Sequence, residues 1–207
     1  MDGNVAMVVV LDFETTGLLP GSGDRAIEIG AVKIKDGCIT ERYQSLMNPG
    51  RRVSSFIESY TGITNKMLKT APPCKEVMRE FSEFIQGYDL VAHNASFDKR
   101  FLDAELKRIR CKYGGEFACS MLVARRLYQN APNHKLETLV RLNRIVINGN
   151  FHRALSDAEM TANLWLSMVS KVSTQFSSNH IPFVVMQKLA RAPKASVESF
   201  LEGALKG

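Results

Sequence analysis

The run Met7-Val-Val-Val-Leu-Asp12 constrains this chain most. It is apolar and ends on a carboxylate, so it reads as a buried central strand with an acid at its tip. Thr15-Thr-Gly-Leu-Leu-Pro-Gly-Ser-Gly23 follows, a loop by its Gly and Pro content. Residues 26–35 alternate in part, Asp36-Gly37 is a hairpin turn signal, and residues 38–47 return as a third strand. A three-stranded meander at the start excludes the βαβ opening of a nucleotide-binding fold.

Helical patterns dominate the remainder. Short helices are expected near 54–60 and 65–69, after Pro49-Gly50 closes the meander. Pro72-Pro73 precedes an amphipathic helix over 74–86, with Val77, Met78, Phe81, Phe84 and Ile85 on one face and Gly87 as its stop. Leu90-Val-Ala92 reads as a brief strand, and 96–109 as a helix with Ser96 as N-cap. A fifth strand is expected at 117–120, then helices near 121–129 and 135–142 and a long one over 153–172. One mixed sheet surrounded by helices makes an α/β or α+β fold. The polar stretch 173–179 reads as a linker, and 182–192 and 196–206 as two short helices broken by Pro193. A main domain over 1–175 and a short helical tail over 176–207 are expected. The tail is too small to fold alone, so it packs on the main domain or docks to a partner.

Composition narrows the class. No stretch approaches the roughly 20 apolar residues of a membrane span, and the first residues lack the cationic and cleavable features of a signal peptide. Cys38, Cys74, Cys111 and Cys119 are widely spaced, without a C-x-x-C knuckle. A reduced, cytoplasmic, enzyme-sized domain is expected, with no membrane partner. The net charge of +6 is uneven: residues 101–150 carry 9 basic and 4 acidic side chains, a net of +5, against 12 and 13 in residues 1–100. Clustered cations suit a polyanion, whose counterions they release. Solvated helix faces give the same count, and Arg125 and Arg126 read either way.

Four carboxylates stand out by position. Asp12 and Glu14 flank Phe13 at the strand tip, and residues two apart leave the same side of a strand. Asp98 falls in the first turn of one helix and Asp157 near the start of another, five residues after His152. Taken singly, each has an ordinary reading. A strand-tip acid can be a turn residue, and a first-turn acid can complement a helix dipole. Ser156 with Glu159 looks like a capping box, His152 can be a surface residue, and His93 reads as structural or substrate-adjacent. Taken together, they are hard oxygen ligands without cysteine, a set that selects Mg²⁺ or Mn²⁺ over zinc. Gathered without a cation they would repel one another; two divalent ions about 4 Å apart relieve that repulsion and clamp an in-line phosphoryl displacement.

Val10-Leu-Asp-Phe-Glu-Thr-Thr-Gly17, Val91-Ala-His-Asn-Ala-Ser-Phe-Asp98 and His152-Arg-Ala-Leu-Ser-Asp157 occur in that order. Together they resemble the three exonuclease motifs of the DnaQ-like family, DEDDh type, over roughly residues 7–170. The resemblance implies a ribonuclease H-like α/β fold, a five-stranded mixed sheet flanked by helices. It implies Asp12, Glu14, Asp98 and Asp157 as ligands of two divalent metal ions and His152 as general base. It also places Thr15 near the 3′-hydroxyl, and Asn94 and Phe97 near the terminal nucleotides. Tyr60-Thr-Gly-Ile-Thr64 matches a segment where many members read His-Gly-Ile-Thr. Ile63 would then wedge against the terminal base, and Thr61 replaces the His.

The function expected is metal-dependent 3′–5′ exonuclease action on single-stranded or frayed DNA, in replication proofreading or repair, with a DNA polymerase or repair complex as a possible partner. A ribonuclease of the ribonuclease T or oligoribonuclease kind is the alternative within the family, because tolerance of the 2′-hydroxyl depends on pocket shape. A non-catalytic nucleic-acid-binding accessory subunit is the alternative from another class. The intact Asp12, Glu14, His152 and Asp157 argue against it.

Overall fold

The computed structural model describes residues 7–146 and 152–206; the first six residues, and with them the expectation about a leader, lie outside these. β1 (Val8–Thr15), β2 (Ala26–Lys35) and β3 (Cys38–Leu46) form the antiparallel meander. Its β2–β3 turn holds Asp36 and Gly37 at φ of 52° and 75°, the left-handed pair that matches strand twist in a tight hairpin. β4 (Asp89–Ala92) and β5 (Phe117–Cys119) add in parallel beyond β1, for a sheet order of β3-β2-β1-β4-β5. The mixed five-stranded sheet flanked by helices is as expected.

Period-two alternation divides the sheet between two cores. Val8 and Val10 of β1, with Val32 and Ile34 of β2, share a cluster with Leu164, Trp165 and Met168 of α7 (Ala154–Phe176). Val9, Leu11 and Phe13 share the opposite cluster with Phe81 of α3 (Cys74–Phe84) and Phe101 and Leu102 of α4 (Ser96–Arg108). The short α1 (Ser55–Thr61) and α2 (Asn65–Thr70) cover a smaller cluster of Ile27, Val53, Ile63 and Leu68. Side-chain oxygens of Ser54 and Thr64 cap these two helices. α5 (Ser120–Leu127) and α6 (Leu136–Leu142) join the α7 side.

Three local expectations change. Ala95, not Ser96, occupies the N-cap position of α4, and no side chain caps it. Ser156 and Glu159 do not start the long helix as a capping box, because α7 already begins at Ala154 and the Glu159 carboxylate accepts from Arg42 Nε at 2.6 Å. The expected linker at 173–179 is helical as far as Phe176. Val172 is buried and Phe176 packs on the same core, so tertiary contact overrides the weak helix preference of Ser173-Thr-Gln. Ser177, left-handed at φ 50°, ends the helix.

The tail packs on the sheet domain. α8 (Phe183–Leu189) and α9 (Val197–Leu205) put Phe183, Met186, Leu189 and Leu201 into the α7 cluster, with Phe183 and Trp165 ring centroids 6.0 Å apart. Arg126 Nε donates to Ala192 O at 3.0 Å and Gln187 Nε2 to Phe117 O at 3.2 Å. The Arg126 guanidinium is thus engaged in holding the tail. Among the described residues, no helix is long and apolar enough to cross a membrane.

Gly30 sets the depth at which α7 lies on the sheet. It pairs with Asp12 across β1 and β2, and a Cβ there would collide with the backbone of Ala154 and Leu155. The clash is with main chain, which no rotamer change relieves. Gly30→Ala should therefore destabilise the fold by about 3 kcal/mol or more, at the upper end of overpacking losses. Urea unfolding measures it, and a change under about 1 kcal/mol would show that α7 does not depend on this close approach.

Candidate active site

Sheet topology gathers the acids. β1 and β4 run parallel, so both deliver their chains to the same edge. Asp12 and Glu14 stand at the end of β1 on the face covered by α7. The chain leaving β4 turns through Asn94, at φ 66°, into α4, whose first turn carries the buried Asp98. Asp98 reaches back to β1, where its Oδ1 accepts from the Phe13 amide at 3.1 Å. The start of α7 brings the remaining two. His152 is left-handed at φ 65°, and its amide donates to Asp157 Oδ2 at 2.9 Å.

Asp157 Oδ1 is buried without a hydrogen bond among the described residues, a state that natural structures rarely tolerate without a ligand. Glu14, His152 and Asp157 each offer a donor atom, all within 4.8 Å of one another. An unsatisfied carboxylate oxygen within an acidic group fits a divalent cation, and the residues present can hold one.

Burial, reinforced by mutual repulsion, raises the pKa of all four acids. Loss of solvent, then repulsion from Asp157 and Glu28, pushes Glu14 up to about 8. Burial raises Asp98 to about 7, against the opposing hydrogen bond from Phe13. Asp157 rises to about 6, again chiefly by burial. Asp12 is held well above the usual carboxylate range by burial and by Asp98, Asp157 and Glu14. His93 behaves differently. Its ring nitrogens face Ser120 Oγ and the His134 carbonyl, both at 2.9 Å, and burial lowers its pKa to about 4. It is a neutral group in the cleft wall, held by these two contacts.

These residues line a cleft of about 690 Å³ with Thr15, Leu18, Phe56, Tyr60, Asn94 and Phe97 on its walls. The Thr15 hydroxyl donates to Gly17 O at 2.6 Å. The Phe97 ring lies 5.0 Å from that of Phe101, and Asn94 is exposed. Ile63 requires correction. It is 0% exposed, enclosed with Ile27, Val53 and Leu68, and does not reach the cleft. Gly62, left-handed at φ 72°, ends α1 and turns Ile63 inward. Thr61, the departure from His, borders the cleft but is buried, its hydroxyl donating to Ile57 O at 2.8 Å and accepting from the Ile63 amide at 3.1 Å.

The exposed apolar groups at the mouth are instead Leu18, Phe56 and Tyr60. The Tyr60 ring lies over His152, centroids 4.0 Å apart, and stacks on Phe56 at 5.7 Å. In the sequence Tyr60 is no more than the first residue of a motif. Its signal is an aromatic pair at i and i+4 on a short helix, a pattern that packs in more than one way when the partner is unknown. A second, adjoining cleft runs from Asp12 and His152 to Arg125, Asn133 and Lys135, so part of the basic segment borders the acidic centre.

Two measurements follow from this geometry. Ile63→Ala should reduce stability by about 2–5 kcal/mol, as for other buried aliphatic truncations, with little effect on substrate capture. A raised KM with unchanged stability would return Ile63 to the cleft. The raised carboxyl pKa values mean that the native state holds more protons than the unfolded chain between about pH 4 and about pH 8. Their contribution to stability is therefore present at low pH and is lost as pH rises through that window. A divalent cation held by these acids would replace those protons. Mg²⁺ or Mn²⁺ should raise Tm more near pH 8 than near pH 5, and equal shifts at the two pH values would remove these acids from the metal site.

The exonuclease family profile matches residues 9–165. The chain is 40% identical over 164 residues to the DNA polymerase III PolC-type protein of Caldanaerobacter subterraneus subsp. tengcongensis, a match covering 79% of this chain and 12% of that protein. It is 33% identical over 189 residues to the 3′–5′ exonuclease DinG of Bacillus subtilis, covering 91% of this chain and 20% of the relative. The chain thus spans a minor part of both relatives. Exonuclease X, solved with 5′ overhanging duplex DNA, superposes with a TM-score of 0.70 at 26% identity, over 89% of this chain and 99% of that one. With the profile spanning both strand and helix acids, and a fold shared with a DNA-bound exonuclease, the chain belongs to the exonuclease family.

Proposed function

We propose that the chain removes nucleotides from the 3′ end of single-stranded or frayed DNA, releasing nucleoside monophosphates with the help of two divalent ions, Mg²⁺ or Mn²⁺. The observation that carries this reading is the convergence of Asp12, Glu14, Asp98 and Asp157 on one cleft, with Asp157 Oδ1 unpartnered among the described residues. Asp12, Glu14, Asp98 and Asp157 would hold the ions. When bound, the ions would neutralise the carboxylates and stabilise the charge that develops on the scissile phosphodiester.

His152 is the general base in this reading. It stands at the cleft wall beside the acids, where an imidazole nitrogen can take the proton of the attacking water. Asp157 holds the His152 main chain through the amide contact, and Tyr60 limits the imidazole from the other side. Thr15, Asn94 and Phe97 bind the terminal nucleotides, and the exposed Leu18 and Phe56 supply an apolar surface for a base. Arg125 and Lys135 border the adjoining cleft, where a strand's phosphates can be followed by cations. DNA is favoured over RNA by the relatives: a DNA-bound exonuclease and DNA polymerase III PolC-type proteins. The latter also support a place in proofreading or repair beside a polymerase.

Matched DNA and RNA oligonucleotides, labelled at either end and digested with Mg²⁺, Mn²⁺ or EDTA, test the reading. Stepwise shortening from the 3′ end of DNA is expected, abolished by EDTA. His152→Ala should lower kcat by about 10²–10⁴-fold, the usual range for lost general-base help. Digestion in EDTA would overturn the metal requirement, exclusive digestion of RNA would overturn the substrate, and a parental rate for His152→Ala would overturn the base.

A further inference from the structure

Strand β2 carries a charge for which the proposed reaction has no use. Glu28 lies in the apolar run Ala26-Ile-Glu-Ile-Gly30 and is 0% exposed. It pairs with Glu14 across β1 and β2, so two like charges face each other, an arrangement that destabilises a sheet. A fully buried carboxylate is unfavourable unless its oxygens are satisfied. Here they are. Oε1 accepts from Gln44 Nε2 and Arg153 Nη2, both at 2.8 Å, and Oε2 accepts from Arg153 Nε at 3.2 Å and the Ala154 amide at 3.1 Å.

Two of those partners stand at the start of α7. Arg153 is the N-cap and makes no capping bond of its own, so the carboxylate of a neighbouring strand satisfies one of the free amides there. Arg153 follows His152 directly, and its carbonyl accepts from the Asp157 amide at 3.0 Å. The same short segment carries the His152–Asp157 contact at 2.9 Å. An apolar side chain of similar volume would serve packing as well as a buried ion pair, often better. The pair supplies direction instead: a two-pronged guanidinium contact fixes orientation as well as distance.

We propose that Glu28 is a positioning residue for the reaction, holding Arg153 and the Ala154 amide so that His152 and Asp157 meet the cleft in working geometry. This rests on the exonuclease reading and extends it to a residue outside the three motif segments. Arg153 carries the link through its two contacts to Glu28.

Glu28→Gln keeps the side-chain volume and one acceptor but loses the charge. Arg153→Met breaks the same link from its half-exposed end, and Arg153→Lys restores a cation without the fork. The readouts are kcat and KM on a 3′ single strand, and Mn²⁺ binding followed by loss of the free-ion paramagnetic resonance signal. Glu28→Gln and Arg153→Met should each lose about 10–100-fold in kcat or Mn²⁺ affinity, as for other groups that orient metal ligands, with KM within about two-fold. Arg153→Lys should recover part of the loss. Folded variants with parental kcat and parental Mn²⁺ affinity would overturn the proposal. If Glu28→Gln does not fold, Arg153→Met decides. If the parent digests neither DNA nor RNA, the exonuclease reading fails, while the Mn²⁺ comparison still decides the role of Glu28.

Discussion

The contact between the backbone of α7 and strand β2 is the constraint on which the rest depends. A helix on a sheet ordinarily stands off by the length of its side chains. At Gly30 no side chain intervenes, and Ala154 and Leu155 settle against the strand. Because Gly30 pairs with Asp12, that close approach occurs beside the first carboxylate of β1. Asp157, one turn into the helix, is thereby brought among acids that lie 59 to 145 residues earlier in the chain. Glu28, two residues from Gly30 on the same strand face, secures the helix start from the side.

This arrangement concentrates negative charge where the fold is least able to solvate it. Asp12, Glu14, Asp98 and Asp157 all have raised pKa values, with burial as the leading cause in each. Arg153 is the cation that favours the charged form of Glu14, and it is already shared with Glu28. A core selected for stability alone would avoid such a group, so the site is strained electrostatically in favour of binding a cation. The surrounding structure carries the strain. Two separate apolar cores hold the sheet from either face, and the α8–α9 segment extends one of them.

The tail illustrates how helices far from the cleft support it. Arg126 and Gln187 tie the tail to α5 and β5, and α5 begins at Ser120, whose hydroxyl faces His93. His93 in turn precedes Asn94 in the turn leading to Asp98. Neutral His93 therefore joins the α5 side of the molecule to the loop that forms one wall of the cleft. Its depressed pKa is a consequence of that burial and suits a bracing role.

Much of this was legible in the residues themselves. The apolar run of β1, the partial alternation of residues 26–35 and the Asp36-Gly37 turn specified the meander, since all are local. Asp12 and Glu14 were bound to share a face because side chains alternate along any strand. The three motif segments, read together, named the four acids and His152, which the fold brings to one cleft. What could not be read locally depends on contacts across the chain. Ile63 looked like an exposed wedge, but Gly62 turns it into a core that exists only when α1 and α2 cover β2. Ser173-Thr-Gln looked like a linker, but burial of Val172 beside Phe176 keeps it helical. Glu28 gives no local sign of its role, because its partners, Arg153 and the Ala154 amide, lie 125 and 126 residues away. Sequence determined which groups the molecule has and which side of each element they occupy. Tertiary structure alone decided their neighbours, because burial, charge repulsion and the close approach at Gly30 are properties of surfaces brought together, which no single segment possesses.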